Sequence, residues 1–350
     1  MKILQIIDQL EVGGAEKVLV DLTNIMHEHM QDVTVLCLLS SAVLETQLNN
    51  GVEVIYLNRR NKYNPFTLLT LYKHLKRHDI IHVHCRQVMR YVGLLLFLPK
   101  PLRPFKIVFH DHYGKIASDT NIDFLLKTQL KKINAYIGVS AELVNWYNGL
   151  VNNNSGTLLS NIVRASAIQE KKQLSPRCKK IVMVGNFRPQ KKYEFALSLL
   201  ASLPENYILT IIGAVVDSAY YKRILNLATQ LDIPNRLTIK TNVTETRSEL
   251  LKYDMAIHTA QSETGPLVAI EYLSVNLPFV MYDTGQVAKQ IQPELSDFVM
   301  TSVEVDAWKD RIALILENKD SYSPKINSIF RQNFSEENYF QECLKVYQNL

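Results

Sequence analysis

Apolar residues in this chain fall into short unbroken runs, alternating with longer stretches in which they return every third or fourth position. The run KILQIID at 2–8 predicts a buried strand, and 15–30 an amphipathic helix. Further strands are predicted at 32–38, 52–57, 80–83, 106–109 and 135–139. Helices are predicted at 42–50 and at 65–77, where Leu68, Leu71, Tyr72 and Leu75 share one face. The polar segments Asn152-Asn153-Asn154-Ser155-Gly156 and 166–180 interrupt the alternation, the second with linker composition. It then restarts: KKIVMVG at 179–185, a helix at 193–203, a strand at 207–214, a helix at 219–231, LTIK at 237–240, a short helix near Ser248, the strand 255–257 and a helix LVAIEYLS at 267–274. The last segment, 335–350, places Phe340, Cys343, Leu344 and Tyr347 on one helical face, with Glu336 and Glu337 in the first turn.

Repeated strand–helix units imply parallel sheets with helices on both faces. The restart after a linker predicts α/β architecture in two doubly wound, Rossmann-like domains, 1–165 and 166–334, with a cleft between them and a terminal helix at 335–350. Ligands in such sheets bind at the carboxyl ends of the strands. With 350 residues the chain is long enough for two cores, and 47% apolar with 21% charged residues is the composition of a soluble globular protein. No apolar run reaches membrane-spanning length, and the chain opens directly on a strand pattern, which predicts no signal peptide. Four widely separated cysteines without metal-ligand spacing point to a reducing cytoplasm and no structural zinc. The net charge of +5 lies wholly in residues 1–165, which hold 18 basic and 13 acidic residues. Such a face could meet an acidic acceptor or an anionic membrane surface, and ordinary surface charge accounts for it equally well.

The densest candidate chemistry is SETGPLVAIEYLSVNLP at 262–278. A strand runs into a polar loop carrying Glu263, and Gly265 and Pro266 then open the helix, with Pro266 at its first position. The free amides and partial positive charge of that helix start favour an anion such as a diphosphate. Glu263 beside it and Glu271 within the helix can accept hydrogen bonds from sugar hydroxyls. A nucleotide sugar satisfies both demands, although glutamates at this spacing also occur on solvated helices. In VGNFRPQKKYEFAL the strand ends at Gly185, and Arg188 and Lys191 stand before the next helix, where cations stabilise the charge of a leaving diphosphate. Near the start, Gly13 and Gly14 let the backbone approach a ligand at a helix N-terminus, but Gly-x-Gly-x-x-Gly is absent. His110-Asp111-His112 closes the strand KIVFH, and two histidines beside an aspartate at a strand end are candidate site residues.

Taken together, Glu263-x7-Glu271, Gly185/Pro189/Lys191 and Gly13-Gly14-x-Glu16-Lys17 resemble the family 4 glycosyltransferases, which have the two-domain GT-B fold. The family wording Glu-Gly-Phe-Pro is here Glu263-Thr264-Gly265-Pro266. The family's Gly-Arg-x-x-Pro-x-Lys-Gly is met with Asn186 in place of Arg, Arg188 two residues on, and Lys192 in place of the last Gly. The resemblance implies that Glu263, His110, Arg188 and Lys191 serve catalysis. It implies that Gly13, Gly14, Asn242, Val243, Thr264, Gly265, Pro266, Leu267 and Glu271 hold the donor, Asn242 and Val243 at the nucleobase, and that the last helix crosses back to the first domain. His82 and His84 resemble a family strand end that often bears histidine and receive no catalytic role.

The expectation is a cytoplasmic, retaining, metal-independent glycosyltransferase, carrying a sugar from a UDP- or GDP-sugar to a hydroxyl in polysaccharide or glycolipid synthesis. No cofactor is expected, since the chain lacks the Asp-x-Asp pair that holds Mg²⁺ or Mn²⁺ on a nucleotide sugar in GT-A enzymes. The expected partners are the donor and a glycan or lipid-linked glycan acceptor, with possible peripheral contact through the basic helix 65–77 and no nucleic acid. Two other readings are a GT-B-like sugar-nucleotide epimerase, which needs no acceptor, and an inactive nucleotide-sugar-binding subunit, which binds donor without turnover.

Overall fold

The computed structural model describes residues 1–61, 64–164, 178–241, 243 and 245–350. They form two compact units, one of residues 1–162 with 336–350 and the other of 163–335. The first contains a seven-stranded sheet of β1 (Lys2–Ile7), β2 (Asp32–Cys37), β3 (Glu53–Tyr56), β4 (Ile80–His84), β5 (Lys106–Asp111), β6 (Ala135–Gly138) and β7 (Gly156–Leu158). Their order is β3-β2-β1-β4-β5-β6-β7, and every pairing is parallel. The second contains β8 (Lys179–Val184), β9 (Tyr207–Ile212), β10 (Leu237–Lys240), β11 (Met255–His258), β12 (Phe279–Tyr282) and β13 (Val299–Met300), in the order β10-β9-β8-β11-β12-β13, again all parallel. In each sheet the strand order reverses beside the first strand, at β1/β4 and at β8/β11. Chain connections leave in opposite directions there, which opens a crevice at the carboxyl ends.

The central strands are buried along their length, as strands covered on both faces must be. Side chains alternate between the faces. Leu4 and Ile6, Ile81 and Val83, and Ile107 and Phe109 therefore join one apolar core. Gln5, His82, His84 and His110, at the intervening positions, belong to the other face. The helix Glu336–Gln348 belongs to the first unit, and its Tyr339, Phe340, Cys343 and Tyr347 are buried.

Several local expectations need correction. The segment 42–50 is a short 3-10 turn, Val43–Gln47, with only Leu44 buried, because one apolar anchor does not support a longer helix. Pro266 is the N-cap of the helix Leu267–Ser274 and not its first residue. Strand β5 runs on through His110 to Asp111.

Candidate active site

The second unit's site grows from the β8/β11 switch point. The loop after β8 is anchored from several sides. Val184 N–H donates to the Tyr272 hydroxyl at 3.1 Å, the Tyr193 hydroxyl donates to Gly185 O, and Ala214 N–H donates to Asn186 Oδ1 at 3.0 Å. Gly213 lies so close that a Cβ on it would collide with the Gly185 carbonyl. The loop then makes a 3-10 turn, Pro189–Lys191, and Lys192 takes φ 55° before the helix Tyr193–Ser202. The family glycine would stand at this left-handed position. From the neighbouring strand, the Thr259 hydroxyl donates to Lys191 O at 2.7 Å and clips the two strand ends together.

Across this junction Lys191 Nζ meets Glu263 Oε1 at 2.5 Å. Glu263 is held by its own backbone, whose N–H donates to Thr284 Oγ1 at 3.0 Å, while Gln286 N–H donates to Thr264 O at 2.7 Å. Between them Gly285 has φ 74°, and a Cβ there would stand 2.9 Å from both the Glu263 and the Thr264 carbonyl oxygens. Burial pushes the Glu263 carboxyl upward, but the charge and hydrogen bond of Lys191, with the charge of Arg188, outweigh it and leave its pKa below the usual value. Arg188 is exposed, and Glu263 lies within reach of its charge. His258, the last residue of β11, is fully buried. Burial and then the Lys191 charge lower its pKa to about 4, so its ring is neutral.

Pro266 supplies no side-chain cap, so the first amides of the Leu267–Ser274 helix are not taken up by their own N-cap residue. Glu271 is half-buried in that helix. Thr264 and Pro266 are buried, while Leu267 and Val243 are half-buried against the unit's core. Asn242 lies outside the described residues. Lys191, Glu263, Arg188 and the Thr264–Glu271 segment are therefore brought together within one unit. Thr259, His258, Gly213, Thr284 and Gly285 complete the construction. No spacing in the sequence singles these out, because each acts on a loop far away along the chain.

Gly13, Gly14 and His110 belong to the first unit. Gly13 is the N-cap of the helix Gly14–Glu28 in extended conformation, φ −158°, so it is not needed for a left-handed turn. Its missing Cβ instead leaves room for the Glu16 carboxylate. Asp111, next to His110, is committed: Arg86 Nε donates to it at 2.9 Å and the Tyr136 hydroxyl at 3.0 Å, and the Arg86 guanidinium stacks over Tyr113 and Trp146. That saturation removes Asp111 as a general base.

Four histidines line the other face of β4, β5 and the residue after it. His82 Nε2 faces His110 Nδ1 at 3.2 Å, and His84 Nδ1 faces His112 Nε2 at 3.1 Å. His84 Nε2 reaches Gln5 Oε1 at 2.8 Å, and His82 Nδ1 meets the Tyr347 hydroxyl at 2.5 Å. Burial lowers all four, His82 and His112 to about 3 and His84 and His110 well below the usual value, so the rings are neutral. Ligand nitrogens of His82, His84 and His110 lie within 4.8 Å of one another, which is metal-binding spacing among the described residues.

Two all-parallel sheets, each with its reversal of strand order and with cations and a carboxylate at one of the two crevices, make the architecture that of GT-B glycosyltransferases. Structures of that class superpose along the whole chain. The Anabaena protein Alr3699/HepE, solved with UDP and with UDP-glucose, gives TM-scores of 0.81 and 0.82 at 16% identity over 100% of both chains. A glycosyltransferase from Rickettsia africae gives 0.80 at 15% identity over 99% of this chain and 97% of that one. Sucrose-phosphate synthase from Thermosynechococcus elongatus gives 0.77 at 15% identity over 99% and 98%. No curated protein matches in sequence. Residues 12–154 match Glycosyltransferase Family 4 and residues 165–338 match Glycosyl transferases group 1, and the chain belongs to this family of enzymes.

Proposed function

We propose that this glycosyltransferase transfers a sugar from a UDP- or GDP-sugar to a hydroxyl with retention of configuration, in the cytoplasm and without a metal. The observation that carries the reading is the Lys191–Glu263 pair set directly before an uncapped helix start, with Arg188 beside it. Lysine has three donors, so Lys191 can serve Glu263 and a phosphate oxygen together. With Arg188 and the helix amides it stabilises the diphosphate as the bond from C1 to the phosphate oxygen breaks. The acceptor oxygen forms the new bond to C1 on the same face, and its proton passes to the departing phosphate oxygen. Glu263 grips the sugar and Glu271 the ribose, so neither acts as nucleophile. The UDP and UDP-glucose complexes of the Anabaena neighbour support such a donor.

The test is turnover and donor affinity across a panel of nucleotide sugars, with and without EDTA. Glu263→Ala should cut kcat by about a hundredfold or more, and Glu271→Ala should mainly raise the donor Kd, by about tenfold. Activity equal to wild type in both variants, or activity abolished by EDTA, refutes the corresponding assignment.

The acceptor partner we propose is a lipid-linked glycan, met at an anionic membrane surface. The helix Pro65–Leu75 buries Leu71 and Leu75 and turns outward Phe66, 77% exposed, Leu69, 51% exposed, and Lys73, with Lys76 and Arg77 just beyond. No acidic residue lies between Glu53 and Asp79. Aromatic and cationic groups in one stripe suit a phospholipid interface. Among the described residues no helix is long and apolar enough to cross a membrane. Binding to phosphatidylglycerol vesicles at low salt, weakened by salt and by Phe66→Ser with Lys73→Glu, is expected. Failure to sediment with those vesicles at low salt removes this partner.

A further inference from the structure

Neutral imidazoles impose a constraint that charged ones do not, since each ring carries one N–H and one lone pair. A chain of such rings has few self-consistent proton patterns, and the group at its end selects among them. His82 bridges Tyr347 and His110, with contacts of 2.5 Å at Nδ1 and 3.2 Å at Nε2. An imidazole nitrogen is far more basic than a phenol oxygen, so in the first contact the Tyr347 hydroxyl donates and His82 Nδ1 accepts. The His82 proton is then on Nε2 and is donated to His110 Nδ1. That leaves the His110 proton on Nε2, an atom that is buried and has no hydrogen-bond partner among the described residues.

We infer that Tyr347, 265 positions along the chain from His82, is a positioning residue that acts through His82 to fix the tautomer of His110. His110 then meets an oxygen of the substrate as an Nε2–H donor and not as a base. The substrate half of this inference rests on the catalytic role that the family resemblance implies for His110. The pattern also disfavours a metal at the cluster. His82 Nδ1 accepts from Tyr347 and His110 Nδ1 from His82. His84 donates through Nε2 to Gln5 Oε1, so its Nδ1 accepts from His112 Nε2. The lone pairs of all three candidate ligands are in use, and an ion would have to displace these hydrogen bonds.

Long-range ¹H–¹⁵N imidazole spectra of the full chain, read beside transfer kinetics, test the inference. In wild type His110 should be the Nε2–H tautomer. Tyr347→Phe removes the terminal donor and should shift His110 measurably toward Nδ1–H. It should also lower kcat by about tenfold, the worth of one hydrogen bond, with the donor KM within about twofold. His82→Leu should reproduce that loss, while His82→Gln, whose amide can still donate to His110, should recover most of the activity. These two variants also decide the matter if Tyr347→Phe does not fold. Nδ1–H His110 in wild type, unchanged spectra and kcat in Tyr347→Phe, or uptake of one zinc ion per chain that shifts all three rings each overturns the inference. A wild-type chain that transfers no sugar instead defeats the functional reading, and the spectra still decide the tautomer.

Discussion

At the scale of single residues, the site in the second unit depends on two left-handed backbone positions solved in opposite ways. Lys192 holds φ 55° with a side chain, and Gly285 holds φ 74° without one. The left-handed region costs an ordinary residue about 1–2 kcal/mol. At Gly285 a Cβ would also press on the carbonyl oxygens of Glu263 and Thr264 at 2.9 Å. Both oxygens are backbone of the loop that presents Glu263, so relief of the clash must move the carboxylate. Gly285→Ala should therefore destabilise the second unit by about 2–3 kcal/mol and weaken donor binding as well. Lys192→Gly, where backbone strain is relieved and chain entropy opposes it, should change stability by less than about 1 kcal/mol. Urea unfolding followed by the fluorescence of Trp308, buried in that unit, separates the two cases. A Gly285→Ala chain with the wild-type midpoint would remove the role assigned to this glycine.

At the scale of elements, legibility followed the strength of the local pattern. The runs that form β1, β4, β8 and β11 were readable because a strand buried on both faces is nearly continuously apolar. They are broken here only by Gln5 in β1 and His82 and His84 in β4, with Lys residues at the starts of β1 and β8 and His258 closing β11. Glu263, Arg188 and Lys191 drew attention because they are charged groups just past the ends of β11 and β8, and Glu271 only through its spacing from Glu263. Most of the stretch from β12 to the end of the second unit was not readable. Its strand β13 has two residues, its helix Gly285–Ile291 seven, and the helix Lys319–Asn333 buries only Tyr322, Ile326 and Ile329 among polar neighbours. Too few apolar positions recur in those three elements to define a period, whereas the helix Val305–Glu317, which buries Trp308, Ile312, Ile315 and Leu316 at helical spacing, was legible and overlooked. Thr284 and Gly285 were missed with that stretch. Thr259 and Gly213 were missed because a clip between two loops leaves no mark on spacing. The histidines are an intermediate case. His82/His84 and His110/His112 are spaced by two, which puts each pair on one face of a strand. Only the parallel register of β4 and β5, with His84 opposite His110, brings the pairs together, and only the fold brings Tyr347 onto them.

At the scale of the whole molecule, the two units share a design but divide the buried histidines unequally. His82, His84, His110 and His112 are in the first unit and His258 is in the second. In an unfolded chain each ring titrates near 6.5, whereas burial holds the folded rings well below that. Below pH 6.5 the unfolded state therefore binds protons that the folded state excludes. The stability these rings permit is complete above about 6.5 and is lost as pH falls toward the folded values. Each such ring costs up to about 1.4 kcal/mol per pH unit in that window. Four rings against one make the slope for the first unit about four times that for the second, and about two pH units suffice to exhaust the typical stability of a domain. Carboxylates add little before about pH 4.5, where they begin to protonate. The first unit should accordingly unfold at higher pH than the second. The chain carries two tryptophans, Trp146 in the first unit and Trp308 in the second. Single Trp→Phe variants thus report each unit alone through an acid titration from pH 7 to 4. The Trp146 signal should change first, by about one pH unit or more. If Trp308 leads, or the two move together, the buried histidines do not set the acid limit of this enzyme.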